Sequence, residues 1–382
     1  MSTSGTTERH AGNTPYRLLD AFRGVAALWV VLLHVRLPDT PTPLAHFSAF
    51  GHLGVPMFFV ISGYCIAHAA VRSLPAPRPL VKFAAARIRR IYPPYLLAAL
   101  TAAALSLTLT MMIQHHIVQG SQLADLNLLH QGWRFYVGTL TLTQLPLHAT
   151  LIIRVIWSLC YEVTFYAIIA VLLLVPVWGR SAPRLLDMLG FATFASLLWQ
   201  NFGMHPALFP WDLWPQFGLG ALVYQVLAQP ERRTPKIIFA VCGALTALYA
   251  VRHFEEVWTD GMTTGFESAF VLSFALLLLL LFRWDNVVSR LPPVRLLAGV
   301  GLFSYSLYLI HLLALGIVTQ GLSRVYLLGT HPWLLYALRF IFCLAVGRLF
   351  FHLCERPFLD THQRQAEREA TVNAPTAPIA VP

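Results

Sequence analysis

Long apolar runs separated by short polar breaks fill the chain from about residue 18 to residue 352. Runs of roughly 20 apolar residues match the length a helix needs to cross hydrocarbon. Spans are predicted at about 18–37, 51–71, 91–112, 156–178, 185–203, 211–228, 237–252, 264–282, 296–320 and 333–352. An even number of crossings, about ten, predicts both termini on one side, so the expected fold is an all-α polytopic membrane helical bundle. The first run holds Asp20 and Arg23 and has no small-residue cleavage site behind it, which makes it a retained span rather than a cleaved signal. Residues 113–155 read as a long external connection whose semi-apolar stretch, Phe135 to Leu147, is re-entrant or interfacial. The N-terminal segment 1–15 and the tail 359–382, rich in Ala, Pro, Gln and Glu, are expected to be disordered.

Composition agrees with a lipid solvent. Of 382 residues 57% are hydrophobic and only 12% charged, with a mean hydropathy of +0.62; a soluble domain carries about 25% charged residues. The net charge of +10 admits nucleic acid as a partner until its distribution is considered. With the N-terminus placed inside, 20 of the 27 Lys and Arg fall on that side of the predicted spans. A positive-inside bias of this strength predicts cytoplasmic N- and C-termini in a plasma (inner) membrane, with lipid rather than nucleic acid as the partner. The cysteines, Cys65, Cys160, Cys242, Cys343 and Cys354, lie in or at the ends of apolar segments without a CxxC pair. Neither a metal site nor a disulfide framework is expected, and they read as packed small hydrophobes. Nothing in the pattern speaks to oligomeric state.

Ionisable groups within spans are expensive and each needs a reason. Arg23 and His34 are eleven positions apart, so they return to within about 20° on one helix and stand about 16 Å apart along it. Asp20 can pair with Arg23 at i, i+3. The two residues read either as a boundary arginine and a satisfied histidine, or as a cation and a base on one stripe; a neutral imidazole can take a hydroxyl proton and return one. The predicted inside loop KFAAARIRRIYPPY supplies Lys82, Arg87, Arg89 and Arg90. Arg87 and Arg90 point the same way if that stretch is helical. Guanidinium groups bind phosphate bidentately, though simple topology or anionic headgroups account for the same residues. Glu162 in WSLCYEVTFY is a lone intramembrane carboxylate, with His34 expected as its partner at similar depth. Ser304, Tyr308 and His311 share a face in GLFSYSLYLIHLL, where an aromatic-belt role for Tyr308 is the alternative. Arg348, His352 and Glu355 align at i, i+4 and i+7, as an ion-pair cluster or as part of a donor site.

Together these segments resemble the acyltransferase-3 family of bacterial membrane acyltransferases. The motifs that carry the resemblance are Arg23 and His34 in LDAFRGVAALWVVLLH, Ser62 and Gly63 in FFVISGY, and Arg87 and Arg90 followed by Tyr92 and Pro93. Trp157, Ser158 and Glu162 in WSLCYE, the SYSLYLIH segment from Ser304 to His311, and Glu355 with Pro357 complete the set, in order over about residues 16–358. The resemblance implies O-acyl transfer from an acyl-CoA co-substrate, commonly acetyl-CoA, to a hydroxyl of a carbohydrate or secondary-metabolite acceptor, with no permanently bound cofactor and no metal. It implies catalytic roles for His34, Arg23 and Glu162, and donor binding by Arg87, Arg90 and Arg23. Ser62, Trp157, Ser158, Tyr308 and His311 would line the substrate site, while Asp20, Arg348 and Glu355 would serve in ion pairs or structure. Two departures stand out. Val163 follows Glu162 where some relatives carry a second acid, and the appended hydrolase-like domain of some members is expected to be missing. The rival class is a proton-coupled transporter, in which Asp20, His34, Glu162 and His311 relay protons and no acyl group moves.

Overall fold

The computed structural model of the protein describes residues 16–36, 42–116, 126–254, 265–322 and 332–359. The expected disorder at 1–15 and beyond residue 359 lies outside the described residues. Helix α1 (Leu18–His34) is started by a side chain 267 positions away: Asp285 accepts from the backbone N–H of Leu18 at 2.8 Å and of Arg17 at 3.1 Å. A carboxylate there answers two of the orphan donors at a helix N-terminus. After a short helix α2 (Thr42–Ala49) comes α3 (Gly54–Ser73), then α4 (Pro79–Gln114), α5 (Trp133–Thr141), α6 (Trp157–Leu174) and α7 (Pro176–Gly179). The chain continues through α8 (Ala182–Phe202), α9 (Trp214–Ala228), α10 (Arg233–Arg252), α11 (Gly265–Leu281) and α12 (Asp285–Val288). It ends with α13 (Pro292–Gly301), α14 (Ser304–Leu322) and α15 (Pro332–Phe350).

The described residues are helical without strands, as the apolar periodicity predicts. Six helices are long and apolar enough to cross a membrane, and a seventh joins them if α13 and α14 form one span. The chain is thus a multi-pass membrane protein by composition and length. The other predicted spans also fall on helices, but α1 has 17 residues and α9 has 15, short of the roughly 20 that a full crossing takes. Helix α8 reaches 21 residues but carries Asp187, Gln200 and Asn201.

Two sequence expectations need correction. The run 296–320 is not one continuous span: α13 and α14 meet at a break over Leu302–Phe303 and are bent by 67°. The basic segment 82–90, expected to be a loop, belongs to the 36-residue α4. Its alanine-rich composition supports helix, and the missing N–H groups of Pro93 and Pro94 are tolerated within it.

The external stretch 113–155 is only partly extended. Its helix α5 is tied to α4, since Tyr95 donates to the Thr139 carbonyl at 2.5 Å and Tyr92 to that of Thr141 at 3.1 Å. Phe135 is buried on one face of α5 while Trp133, Tyr136 and Leu140 are exposed on the other, the arrangement of an interfacial helix. Residues 117–125 fall outside the described set. The core lies where α3 crosses α9. There Phe59 stacks on Phe217 with ring centroids 4.4 Å apart, and Phe165 stacks on the same ring at 5.0 Å.

Candidate active site

Two cavities meet inside the bundle, one at each end of α1. The first has about 740 Å³ of empty space, open solvent at its mouth included, and is lined by Arg23, Ser62, Cys65, Arg87, Arg90, Ser158, Glu162, Tyr166, Ser304, Tyr305 and Tyr308 among others. Helices α1, α3, α4, α6 and α14 each contribute, so residues scattered over almost 300 positions converge on one space. Because α4 is helical through its basic segment, Arg87 and Arg90 do share a face and both reach this cavity.

The charges in this chamber are only partly neutralised. Arg23 Nη1 donates to Asp20 Oδ1 at 3.0 Å, as the i, i+3 spacing predicts, and Nη2 donates to Cys65 Sγ at 3.2 Å. The Arg87 guanidinium lies over the Tyr166 ring, 6.0 Å from its centroid, and its Nε is buried with no hydrogen-bond partner among the described residues. Glu162 Oε1 accepts from Tyr166 at 2.5 Å and from Ser62 at 3.4 Å. Its partner is therefore a tyrosine one turn along its own helix, not His34. The expected pairing failed because similar depth does not place two side chains in the same cavity.

The second cavity, about 690 Å³ counted in the same way, surrounds His34 and is bounded by His52, Trp157, Gln216, Glu267 and Tyr308 with an apolar remainder. His34 Nδ1 lies 2.8 Å from the Val30 carbonyl. A carbonyl only accepts, so in the neutral ring Nδ1 carries the hydrogen and Nε2 is left as a lone-pair base. Val55, Phe59 and Tyr308 line both cavities and form the wall between them. The Tyr308 hydroxyl is fixed in that wall by Ser158 Oγ at 2.7 Å and the Val155 carbonyl at 2.8 Å.

Of the residues predicted from sequence, Arg23, Ser62, Arg87, Arg90, Ser158, Glu162 and Tyr308 reach the arginine chamber, and His34, Trp157 and Tyr308 the other. His311 lines neither. It is fully buried behind His34, its Nδ1 on the carbonyls of Leu307 and Tyr308. The Arg348–Glu355 cluster also does not form. A π-helical turn, Phe351–Glu355, follows α15 and widens the last turn, breaking the i+7 register. Glu355 is buried and accepts from Ser306 at 2.5 Å, while Arg348 and His352 are exposed. Sequence reasoning missed Cys65, Tyr166, Tyr305, His52, Gln216 and Glu267. Glu267 had a usable signal, a carboxyl inside an otherwise apolar run, which is the same signal that singled out Glu162.

Comparison with known proteins adds to this geometry. Residues 16–352 match a family model described as an acyltransferase domain, the third of that name. The chain is also 31% identical over 192 residues to protein 2 in the picA locus of Rhizobium radiobacter, an alignment covering 47% of this chain and 91% of that relative. No solved structure matches the chain.

Proposed function

This chain belongs to the acyltransferase-3 family of membrane acyltransferases, and from that premise we propose that it moves an acyl group, acetyl in the simplest case, from acyl-CoA to a hydroxyl of a carbohydrate or secondary-metabolite acceptor. The observation that carries the reading is the pair of chambers, cationic at one end of α1 and holding a base at the other, divided only by Val55, Phe59 and Tyr308. The arginine chamber suits the donor. Arg87 and Arg90 hold its phosphates from the cytoplasmic side of the inner membrane, and Arg23 adds positive charge deeper along α1. The roughly 16 Å between Arg23 and His34 is then spanned by the pantetheine arm, which brings the thioester to the Tyr308 wall.

At that wall, His34 Nε2 takes the proton of the acceptor hydroxyl as its oxygen attacks the thioester carbonyl. The carbon–sulfur bond breaks, and the departing CoA thiolate takes the proton back from the imidazolium. The products are an ester and CoA thiol. A base held in one tautomer by the Val30 carbonyl needs no reorientation before it acts. Glu162, held by Tyr166 and Ser62, keeps a negative charge opposite the arginines and orients them.

The test uses purified full-length protein with radiolabelled acetyl-CoA, measuring binding and thiol release beside His34→Ala and the Arg87→Ala/Arg90→Ala double variant. The expected result is a loss of turnover of about 10²–10⁴-fold in the His34 variant, the range for a general base, with acetyl-CoA binding kept. Absence of acetyl-CoA binding by folded wild-type protein overturns the reading and returns the chain to the transport class.

A further inference from the structure

The His34 chamber contains polar groups that proton transfer at His34 does not use. Gln216, on α9, is only 3% exposed and lines the chamber, yet its Oε1 is buried with no hydrogen-bond partner among the described residues. Glu267, on α11, is 5% exposed and lines the same space, its Oε1 lying 3.9 Å from His52 Nε2. His52 is itself oriented, with Nδ1 2.8 Å from the Ala49 carbonyl. A bare amide oxygen in such a place is costly unless a ligand supplies the missing donor. Three helices thus bring an amide oxygen, a carboxyl and the lone pair of His34 to one cavity.

The lining is rich in acceptors, so its complement is rich in O–H donors. A monohydroxylic alcohol has one such group, which the reaction at His34 consumes, and leaves Gln216 and Glu267 unanswered. A polyhydroxylated ring offers further hydroxyls to both. The aromatic walls of the chamber, Trp157 and Phe59, packed edge to face at 6.1 Å, suit the C–H faces of such a ring. We propose that this chamber is the acceptor subsite, and that Gln216 and Glu267, with His52 beside them, select a polyhydroxylated acceptor and present one of its hydroxyls to His34. The proposal rests on the acyl-transfer reading and adds to it the residues that choose the acceptor.

The test uses the full-length protein in lipid nanodiscs with radiolabelled acetyl-CoA. The probes are methyl β-D-glucopyranoside, methyl β-D-galactopyranoside and methyl α-D-mannopyranoside, with cyclohexanol at equal concentration as the monohydroxylic comparison. Labelled ester and thiol release are read together. One or more pyranosides is expected to accept label about tenfold faster than cyclohexanol. Gln216→Leu and Glu267→Gln are each expected to raise the KM for that probe about tenfold, the scale of one lost hydrogen bond in a buried site, while the Kd for acetyl-CoA stays put. Gln216→Asn, which keeps an amide, gives a second variant should Gln216→Leu fail to fold. Equal rates with cyclohexanol, no transfer to any pyranoside, or unchanged probe KM in both variants overturns the subsite with acetyl-CoA binding intact. Loss of acetyl-CoA binding in the wild type fails the acyl-transfer reading itself, so the two failures are told apart.

Discussion

The imidazole rings of His34 and His311 lie with their centroids 5.0 Å apart and their planes at 62°. His311 is completely buried, its Nδ1 donates to the carbonyls of Tyr308 at 2.8 Å and Leu307 at 3.2 Å, and its Nε2 has no partner among the described residues. It is a positioning residue that fixes the far side of the His34 ring from a neighbouring helix. His311→Asn is expected to lower kcat about 10–100-fold, the cost of a small misplacement of a reacting group, while the Kd for acetyl-CoA is unchanged. Turnover at wild-type rate in that variant sinks the role, and a fall in donor binding assigns His311 to general packing instead.

Arg87 and Arg90 are argued to act through charge on a phosphorylated donor. Each charge-assisted hydrogen bond contributes about 1.5–3 kcal/mol, so Arg87→Ala is expected to weaken acetyl-CoA binding by about tenfold or more. Isothermal titration at two salt concentrations checks the cause. Wild-type binding should weaken with salt more steeply than that of the double variant, because the lost contacts are the screened ones. Parallel salt curves count against the assignment.

Helix faces were legible in the sequence; helix partners were not. The spacing of Arg23 and His34 placed them on one stripe of α1, and the structure puts them at the two chambers at its ends. Arg87 and Arg90 were legible as a facing pair once α4 was helical, although the basic segment was misread as a loop because positive charge beside an apolar run also marks a cytoplasmic connection. The Glu162–Tyr166 bond is local, at i, i+4, and was within reach of pattern reasoning. The Glu162–Ser62 contact depends on how α3 crosses α6, which no periodicity encodes. Glu355 shows the opposite failure, since an ideal period was extended through a π-helical turn that changes it.

Tyr166 holds Glu162 at 2.5 Å while its ring faces the Arg87 guanidinium. Tyr166→Phe keeps the ring and removes the donor, leaving a half-buried carboxylate with only the 3.4 Å contact from Ser62. The expected loss is about 1–3 kcal/mol of stability, read by thermal unfolding in detergent. Combining Tyr166→Phe with Glu162→Gln should cost less than the sum of the single changes, because both remove the same interaction. Strict additivity in that cycle rules out the coupling.

The crossing of α3 and α9 depends on two glycines that present backbone to backbone. A Cβ at Gly63 would overlap the carbonyl oxygen of Phe217, and one at Gly220 would overlap that of Val60. Neither obstacle is a flexible side chain, so the helices must separate to admit even a methyl group, as small-residue interfaces between membrane helices predict. Separation would displace Phe59 from its stack on Phe217 and move Ser62, one residue from Gly63, away from Glu162. Gly63→Ala is expected to destabilise the protein by about 1–3 kcal/mol, the usual range for overpacking, and to lower turnover as well, because Phe59 forms part of the wall between the chambers. Gly243, on α10, supplies the control: its added Cβ would meet only the tip of the Leu272 side chain at 3.4 Å, so Gly243→Ala should leave both quantities near wild type. Equal behaviour of the two variants in thermal unfolding and acetyl transfer would show that close approach at Gly63 is not what holds the two chambers together.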